Sequence, residues 1–164
     1  MSGDDWQQGQ DVSGWFASEK LDGWRAVWTG PELLTRSGNA YAAPDWFTRD
    51  LPPAPLDCEL WLGRGFNCND VHRAVAANAW DRLKLVAFDV PQVGLTIEAA
   101  LDRLAALRLP DHASVVQFSR IESNRAAFAM RDQVVRARGE GMMLRQPRTA
   151  YTGARVNFLL KLKP

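Results

Sequence analysis

Ser18-Glu19-Lys20-Leu21-Asp22-Gly23-Trp24-Arg25 sets a lysine, a carboxylate, a glycine and an arginine close together, directly ahead of a strand-like run at Trp24 to Trp28. That run and Leu33 to Arg36 flank Thr29-Gly30-Pro31-Glu32, a turn-like break, so the two predict a β-hairpin. A lysine ammonium is no nucleophile until it loses its proton, which desolvation or neighbouring cations favour. Gly23 would let the backbone turn closely beneath a ligand, and the planar fork of Arg25 suits a phosphate oxygen. Taken alone, K-x-D-G-x-R reads equally as a surface turn with a salt bridge between Lys20 and Asp22.

Outward from this stretch, Leu56 to Leu62, Leu83 to Val90, Met142 to Arg145 and Phe158 to Leu162 are further apolar strand candidates. Thr96 is an N-cap for a helix with Ile97, Ala100, Leu101, Leu104 and Leu107 at helical spacing. Ser123 caps a second helix running to Arg138, with Gly139 past its end where a left-handed residue is common. Pro52, Pro53 and Pro55 read as a loop between elements. The mix predicts an α+β domain with mainly antiparallel sheets.

With 164 residues, 46% hydrophobic and 24% charged, the chain has room for one domain with its own core. No apolar run approaches the length of a membrane helix, and Met1 to Asp11 is polar and acidic, unlike an export signal. No membrane partner is expected. Cys58 and Cys68, read as lying in a strand and the loop after it, have no Cys or His at metal-ligand spacing and are expected as reduced thiols. Charge is unevenly spread: Met1 to Ser119 holds 10 basic and 16 acidic residues, Arg120 to Pro164 10 basic and 3 acidic. Such asymmetry suits a phosphate-rich partner on one face, or a solvated helix carrying Arg125 to Arg138.

Further candidates recur in order along the chain. Leu56-Asp57-Cys58-Glu59-Leu60-Trp61 puts an acidic residue at the centre of an apolar strand, where an unpaired carboxylate is costly and a partner is expected. Glu140, beside Gly141 and heading another strand, repeats the device, so the two carboxylates suit a ribose hydroxyl and a divalent metal. Phe88 near the end of a strand offers a ring for stacking on a base, or is a core residue; Met142 and Met143 are packing candidates. Leu160-Lys161-Leu162-Lys163 alternates, so both lysines point to one face, and two adjacent cations call for an anion between them. A nucleotide α-phosphate fits, and the same pair would favour a neutral amine at a neighbouring lysine.

In this order the motifs KLDGWR, Arg36-Ser37-Gly38, LDCELW, the stretch ending Phe88-Asp89, EGMMLR at Glu140 to Arg145, and LLKLK at Leu159 to Lys163 resemble the covalent nucleotidyltransferases, specifically the ATP-dependent DNA ligases of the small bacterial and phage kind. The resemblance runs from about Asp11 to Pro164. It implies an α+β fold of two mainly antiparallel sheets flanked by helices, with the nucleotide site between them, the ATP-grasp-like nucleotidyltransferase domain of DNA ligases. By it, Lys20 is the adenylated nucleophile, with Asp22, Lys161 and Lys163 in the catalytic set. Ser18 lies near the adenine edge, Arg25 and Arg36 contact phosphates of the nucleotide or the nicked DNA, and Glu59 takes the ribose or metal. Phe88 and Met143 sandwich adenine, Glu140 takes the metal, Lys161 and Lys163 the α-phosphate, and Arg155, after Tyr151, DNA or nucleotide. Cys58 and Ala154 stand where the family usually has glycine, and Val156 where it has a small hydroxyl residue.

The expected cofactors are ATP, its AMP covalently attached, and Mg²⁺; the expected partner is nicked double-stranded DNA, held through backbone phosphates and so weakened by salt. A monomer is expected, in the cytoplasm, or in the periplasm if a signal peptide has been removed. Residues 1–164 are expected to form the nucleotidyltransferase (adenylation) domain, with the family's C-terminal OB-fold domain absent from this chain. On that expectation, sealing of a preadenylated nick survives better than adenylation by ATP. The rival readings are an RNA ligase or RNA-capping guanylyltransferase of the same superfamily, and a non-catalytic nick-binding module.

Overall fold

The hairpin predicted around Thr29 to Glu32 forms, the hydroxyl of Thr29 donating to the Glu32 carbonyl and accepting from its amide. It is part of a computed structural model that describes residues 1–164. In chain order its strands are β1 (Ser2–Asp5), β2 (Phe16–Glu19), β3 (Trp24–Trp28), β4 (Leu33–Thr35), β5 (Leu56–Trp61), β6 (Lys84–Asp89), β7 (Ala113–Val115), β8 (Phe118–Arg120), β9 (Met142–Arg145) and β10 (Arg155–Leu162). The helices are α1 (Asp45–Thr48), α2 (Cys68–Ala76), α3 (Ile97–Ala105) and α4 (Asn124–Arg136), with a 3-10 turn at Trp80–Arg82. The chain divides into two units, one of residues 1–21, 92–99 and 116–164, the other of residues 22–91 and 100–115.

The first unit carries a sheet in the order β1-β10-β9-β2-β8, antiparallel except where β1 runs parallel to β10. Alternation along β2, β9 and β10 sends Ala17, Met142, Leu144, Leu160 and Leu162 to one face, where they pack with Val12, Ile121 and, from α4, Ala127 and Val134. Fully burying a leucine such as Leu144 or Leu160 contributes roughly 1.5–3 kcal/mol. Ser123 caps α4 as predicted, accepting from the Ala126 amide.

The other end of α4 corrects the sequence reading. The helix stops at Arg136, and the left-handed residue is Arg138, at φ 68°, not Gly139. Gly139 is required for space instead: a Cβ there would lie 2.5 Å from Val134 Cγ1 and 2.9 Å from Glu19 Oε1. β1 is a strand on which the sequence reading was silent. Its acidic, polar sequence has no strand periodicity, yet it forms because Gly3 lets its backbone close on β10, where any Cβ would collide with the Leu159 carbonyl. The register slips between Gly3 and Asp4 at that point.

The second unit carries the order β4-β3-β5-β6-β7, antiparallel except for β6 with β7. Its core holds Ala26, Trp28, Leu33, Leu56, Cys58, Leu60, Leu85 and Ala87, with Phe47 of α1 packed edge-on against Trp80 at 4.9 Å. Cys68, read from sequence as loop, begins α2. Asn67 accepts from the Asn69 and Asp70 amides while Asp70 accepts from the Asn67 amide, a full capping box, and Val71 and Ala74 supply the buried stripe. Both cysteines are free, as expected; burial, with Asp57 and Glu59 adding to it, pushes the Cys58 thiol well above its ordinary range.

Candidate active site

The chemistry-bearing residues of the first unit lie on the face of its sheet opposite the α4 core. Ser18, Met143 and Lys161 are direct cross-strand partners on β2, β9 and β10, and Phe118 and Asp5 extend the row to β8 and β1. Opposed residues share a face, so Met143 sits between Ser18 and Lys161. Ser18 is buried and the other two half-buried.

Lys20 follows β2 on the same side as Ser18. Its backbone amide donates to the Gly141 carbonyl at 2.8 Å, which holds the strand end in register with the segment before β9. Gly141 has φ 143° and a Cβ there would collide with the Leu162 carbonyl, so the ladder stays tight only with glycine at this point. Its neighbour Glu140 is thereby held between two cations: Lys20 Nζ lies 2.5 Å from Oε2, and Lys163 Nζ 3.0 Å from Oε1. The two strand-end lysines each meet a different carboxylate of the protein. Lys163 pairs with Glu140, whereas Lys161 faces Asp5 at 3.8 Å. Arg155, at the start of β10, is exposed and donates to Asp4 at 2.5 Å, and that hydrogen bond and charge hold its guanidinium above the ordinary range. Neither acid was singled out in the sequence, since β1 itself was not.

In the second unit, Arg25, Asp57, Glu59 and Phe88 gather on one face. Arg25 stands opposite Glu59 in the ladder, but its Nε and Nη2 both donate to Asp57, which is 1% exposed. The costly buried carboxylate of the LDCELW strand is therefore Asp57, with Arg25 as its partner, and Glu59 is half-buried. Gly23 is the reason: a Cβ there would lie 2.8 Å from Glu59 Cγ and would collide with the Leu60 carbonyl. Glycine here lets β3 start tight against β5 and leaves Glu59 room.

Phe88 owes its placement to a β-bulge. Cys58 pairs with Ala87 and Asp57 with Asp89, so Phe88 is the extra residue on β6. The Arg25 guanidinium carbon lies 5.8 Å from the centre of its ring. Asp22 accepts the Cys68 amide at 3.1 Å, tying the lysine motif to the first turn of α2, and Trp24 stacks on His72 of that helix at 4.7 Å. Neither lysine nor aspartate of the motif makes the simple turn salt bridge. Arg36 is exposed just past β4, beside a turn closed by the Gly38 amide on the Thr35 carbonyl at 2.9 Å.

No group of three or more His, Cys, Asp and Glu forms a metal cage. Mg²⁺ usually takes only one or two carboxylates and completes its shell with water and substrate phosphates, so a cage of this kind is not a requirement for it. No helix is long and apolar enough to cross a membrane.

No protein-family model matches the chain. A DNA ligase of Haemophilus influenzae is 32% identical over 160 residues, which is 94% of this chain and 59% of that protein. A solved structure described as DNA binding with a minimal scaffold, from an analysis of Lig E DNA ligases, is 31% identical with a TM-score of 0.89 over 100% of this chain and 67% of that one. The Chlorella virus DNA ligase–adenylate, 19% identical over 99% of this chain and 67% of its own, shares the fold at a TM-score of 0.80. The chain thus spans about three-fifths of the curated relative. Matched over its whole length, at 31% identity, to a structure from the Lig E DNA ligases of which it covers 67%, this chain belongs to the DNA ligase family.

Proposed function

We propose that this chain is the adenylating core of an ATP-dependent DNA ligase, with Lys20 as the nucleophile. The observation that supports it most is the Lys20–Glu140–Lys163 cluster, a nucleophile, a proton acceptor and a cation joined at 2.5 and 3.0 Å. The Lys20 ammonium must give up a proton before its nitrogen can attack, and Glu140 is in hydrogen-bond contact to take it. The amine then forms a bond to the α-phosphorus of ATP as the bond from that phosphorus to the bridging oxygen breaks, and pyrophosphate leaves with the electron pair. The attacking nitrogen sheds its second proton to solvent, and the product is a lysyl-AMP phosphoramidate. Lys163, and Lys161 once it leaves Asp5, offset charge on the α-phosphate.

Phe88 and Met143 are the proposed adenine contacts, Ser18 the residue near its edge, and Glu59 the ribose contact. Glu140 and Glu59 are each candidate ligands for Mg²⁺, which when bound would neutralise charge on the nucleotide phosphates. Asp22 and Arg25, engaged with α2 and Asp57, act as positioning residues in this reading, and Arg36 and Arg155 as backbone contacts to nicked DNA. The 5′-phosphate of the nick then takes AMP from Lys20, and the 3′-hydroxyl displaces AMP to close the phosphodiester.

Intact mass spectrometry after incubation with ATP and Mg²⁺ tests this. Wild type should gain one AMP, Lys20→Ala none, and the gain should be specific to ATP over GTP. A protein that never gains AMP, yet shifts nicked DNA, would be a binding module.

A further inference from the structure

The two acids of β1 sit on two of the cations just proposed for phosphate. Asp4 accepts from Arg155 at 2.5 Å and Asp5 faces Lys161 at 3.8 Å. The slip in register after Gly3 brings Asp5 directly opposite Lys161, while Arg155, the ladder partner of Ser2, reaches Asp4 from the start of β10. Asp5 and Arg155 are largely solvent-exposed, at 63% and 65%, and pairs of this kind add little to stability. They do change what an incoming anion meets: each positive charge is already matched within its own sheet.

We propose that Asp4 and Asp5 are built-in competitors for phosphate, occupying Arg155 and Lys161 until substrate phosphates displace them, and so set the affinity and salt dependence of this sheet edge. This rests on the phosphate-binding roles proposed above for Arg155 and Lys161. A carboxylate held by its own strand is present at a high effective concentration, so only phosphates anchored elsewhere on the protein displace it readily. A nucleotide held through its base, or a duplex held along its backbone, meets that condition; a free phosphate does not. The chain's excess of positive charge after Arg120 is thus partly cancelled at this edge by acids from the opposite end of the sequence.

The test uses the full chain and two phosphate sources. Binding to nicked duplex DNA is followed by fluorescence anisotropy between about 50 and 200 mM salt, and Lys20-AMP formation against ATP concentration by intact mass. Asp4→Asn is expected to tighten DNA binding by roughly three- to tenfold at the low-salt end, shrinking as salt rises. The slope of log affinity against log salt should steepen by about one for the freed cation. Asp5→Asn should lower the ATP concentration for half-maximal adenylation by roughly threefold. The gain from Asp4→Asn should vanish when Arg155 is already alanine. The proposal is overturned if neither substitution tightens phosphate binding, or if the Asp4→Asn gain persists without Arg155. Should Asp4→Asn loosen β1, seen as a lower melting temperature, Asp5→Asn alone carries the test. A wild-type chain that neither gains AMP nor binds nicked DNA sinks the ligase reading itself; wild-type activity with unmoved variants sinks only this one.

Discussion

Glu140 and Lys20 meet at 2.5 Å, although 119 residues separate them in the chain, because the Lys20 amide bonds to the carbonyl of Gly141, next to Glu140. If Glu140 takes the lysine proton, Glu140→Gln keeps the shape and removes the base. Single-turnover formation of Lys20-AMP should then slow by at least ~100-fold. Because the pair is mostly buried and the substitution leaves Lys20 and Lys163 without their carboxylate, the rate is compared at a temperature where urea unfolding shows the variant fully folded. A slowing of only a few-fold would remove Glu140 from proton transfer.

Gly141→Ala should be costly to the fold as well as to the site. A methyl group collides with the Leu162 carbonyl and demands φ 143° of an L side chain. Urea unfolding should show a loss of about 2 kcal/mol or more, and adenylation should fall with it as Glu140 shifts. A variant as stable as wild type would contradict this geometry.

Arg138→Gly should stabilise. Arg138 holds a left-handed conformation at φ 68°, which costs a residue with a Cβ roughly 1–2 kcal/mol, partly offset by glycine's greater freedom when unfolded. A net gain of about 0.5–1 kcal/mol in thermal unfolding is expected. The mirror change, Gly139→Ala, should destabilise through Val134 and Glu19.

Tyr41 is pushed up to about 12, chiefly by burial and then by the charge of Glu59, and its hydroxyl donates to the Arg25 carbonyl at 3.1 Å. An acid whose folded value is raised favours the fold while neutral. Its stabilisation is complete below the unfolded value near 10 and is lost as pH rises through about 12. Ultraviolet titration of the two tyrosines should therefore show at least one phenol ionising late, and Tyr41→Phe should remove that late phase and flatten the alkaline loss of stability.

Thiol labelling should separate the cysteines. Cys58 is fully buried and its thiol is held protonated, whereas Cys68 is half-buried at the start of α2. A maleimide should modify Cys68 in the native protein and reach Cys58 only on unfolding.

What was legible in the sequence was what alternation or capping writes locally. The hairpin, β5, β6, β9, β10 and the Ser123 cap follow from short-range pattern, and so does the α+β class. β1 was illegible because Ser2-Gly3-Asp4-Asp5 has no apolar face; parallel pairing with β10, a contact over 150 residues long, makes it a strand. α2 was legible but missed: Asn67 and Asp70 form a capping box ahead of Val71 and Ala74. Within the site, local pattern singled out the KLDGWR and EGMMLR segments, but their partners lie across strands. Nothing near Arg25 announces Asp57, and nothing near Lys163 announces Glu140, because pairing of that kind is fixed by register.

The bulge in β6 separates two duties that usually compete. Around it the ladder is already whole, Ala87 meeting Cys58 and Asp89 meeting Asp57, so Phe88 is the one residue of that stretch left outside the pairing. Exchanging that aromatic leaves the flanking pairs of the ladder in place, so the ring can be varied separately from the sheet that displays it.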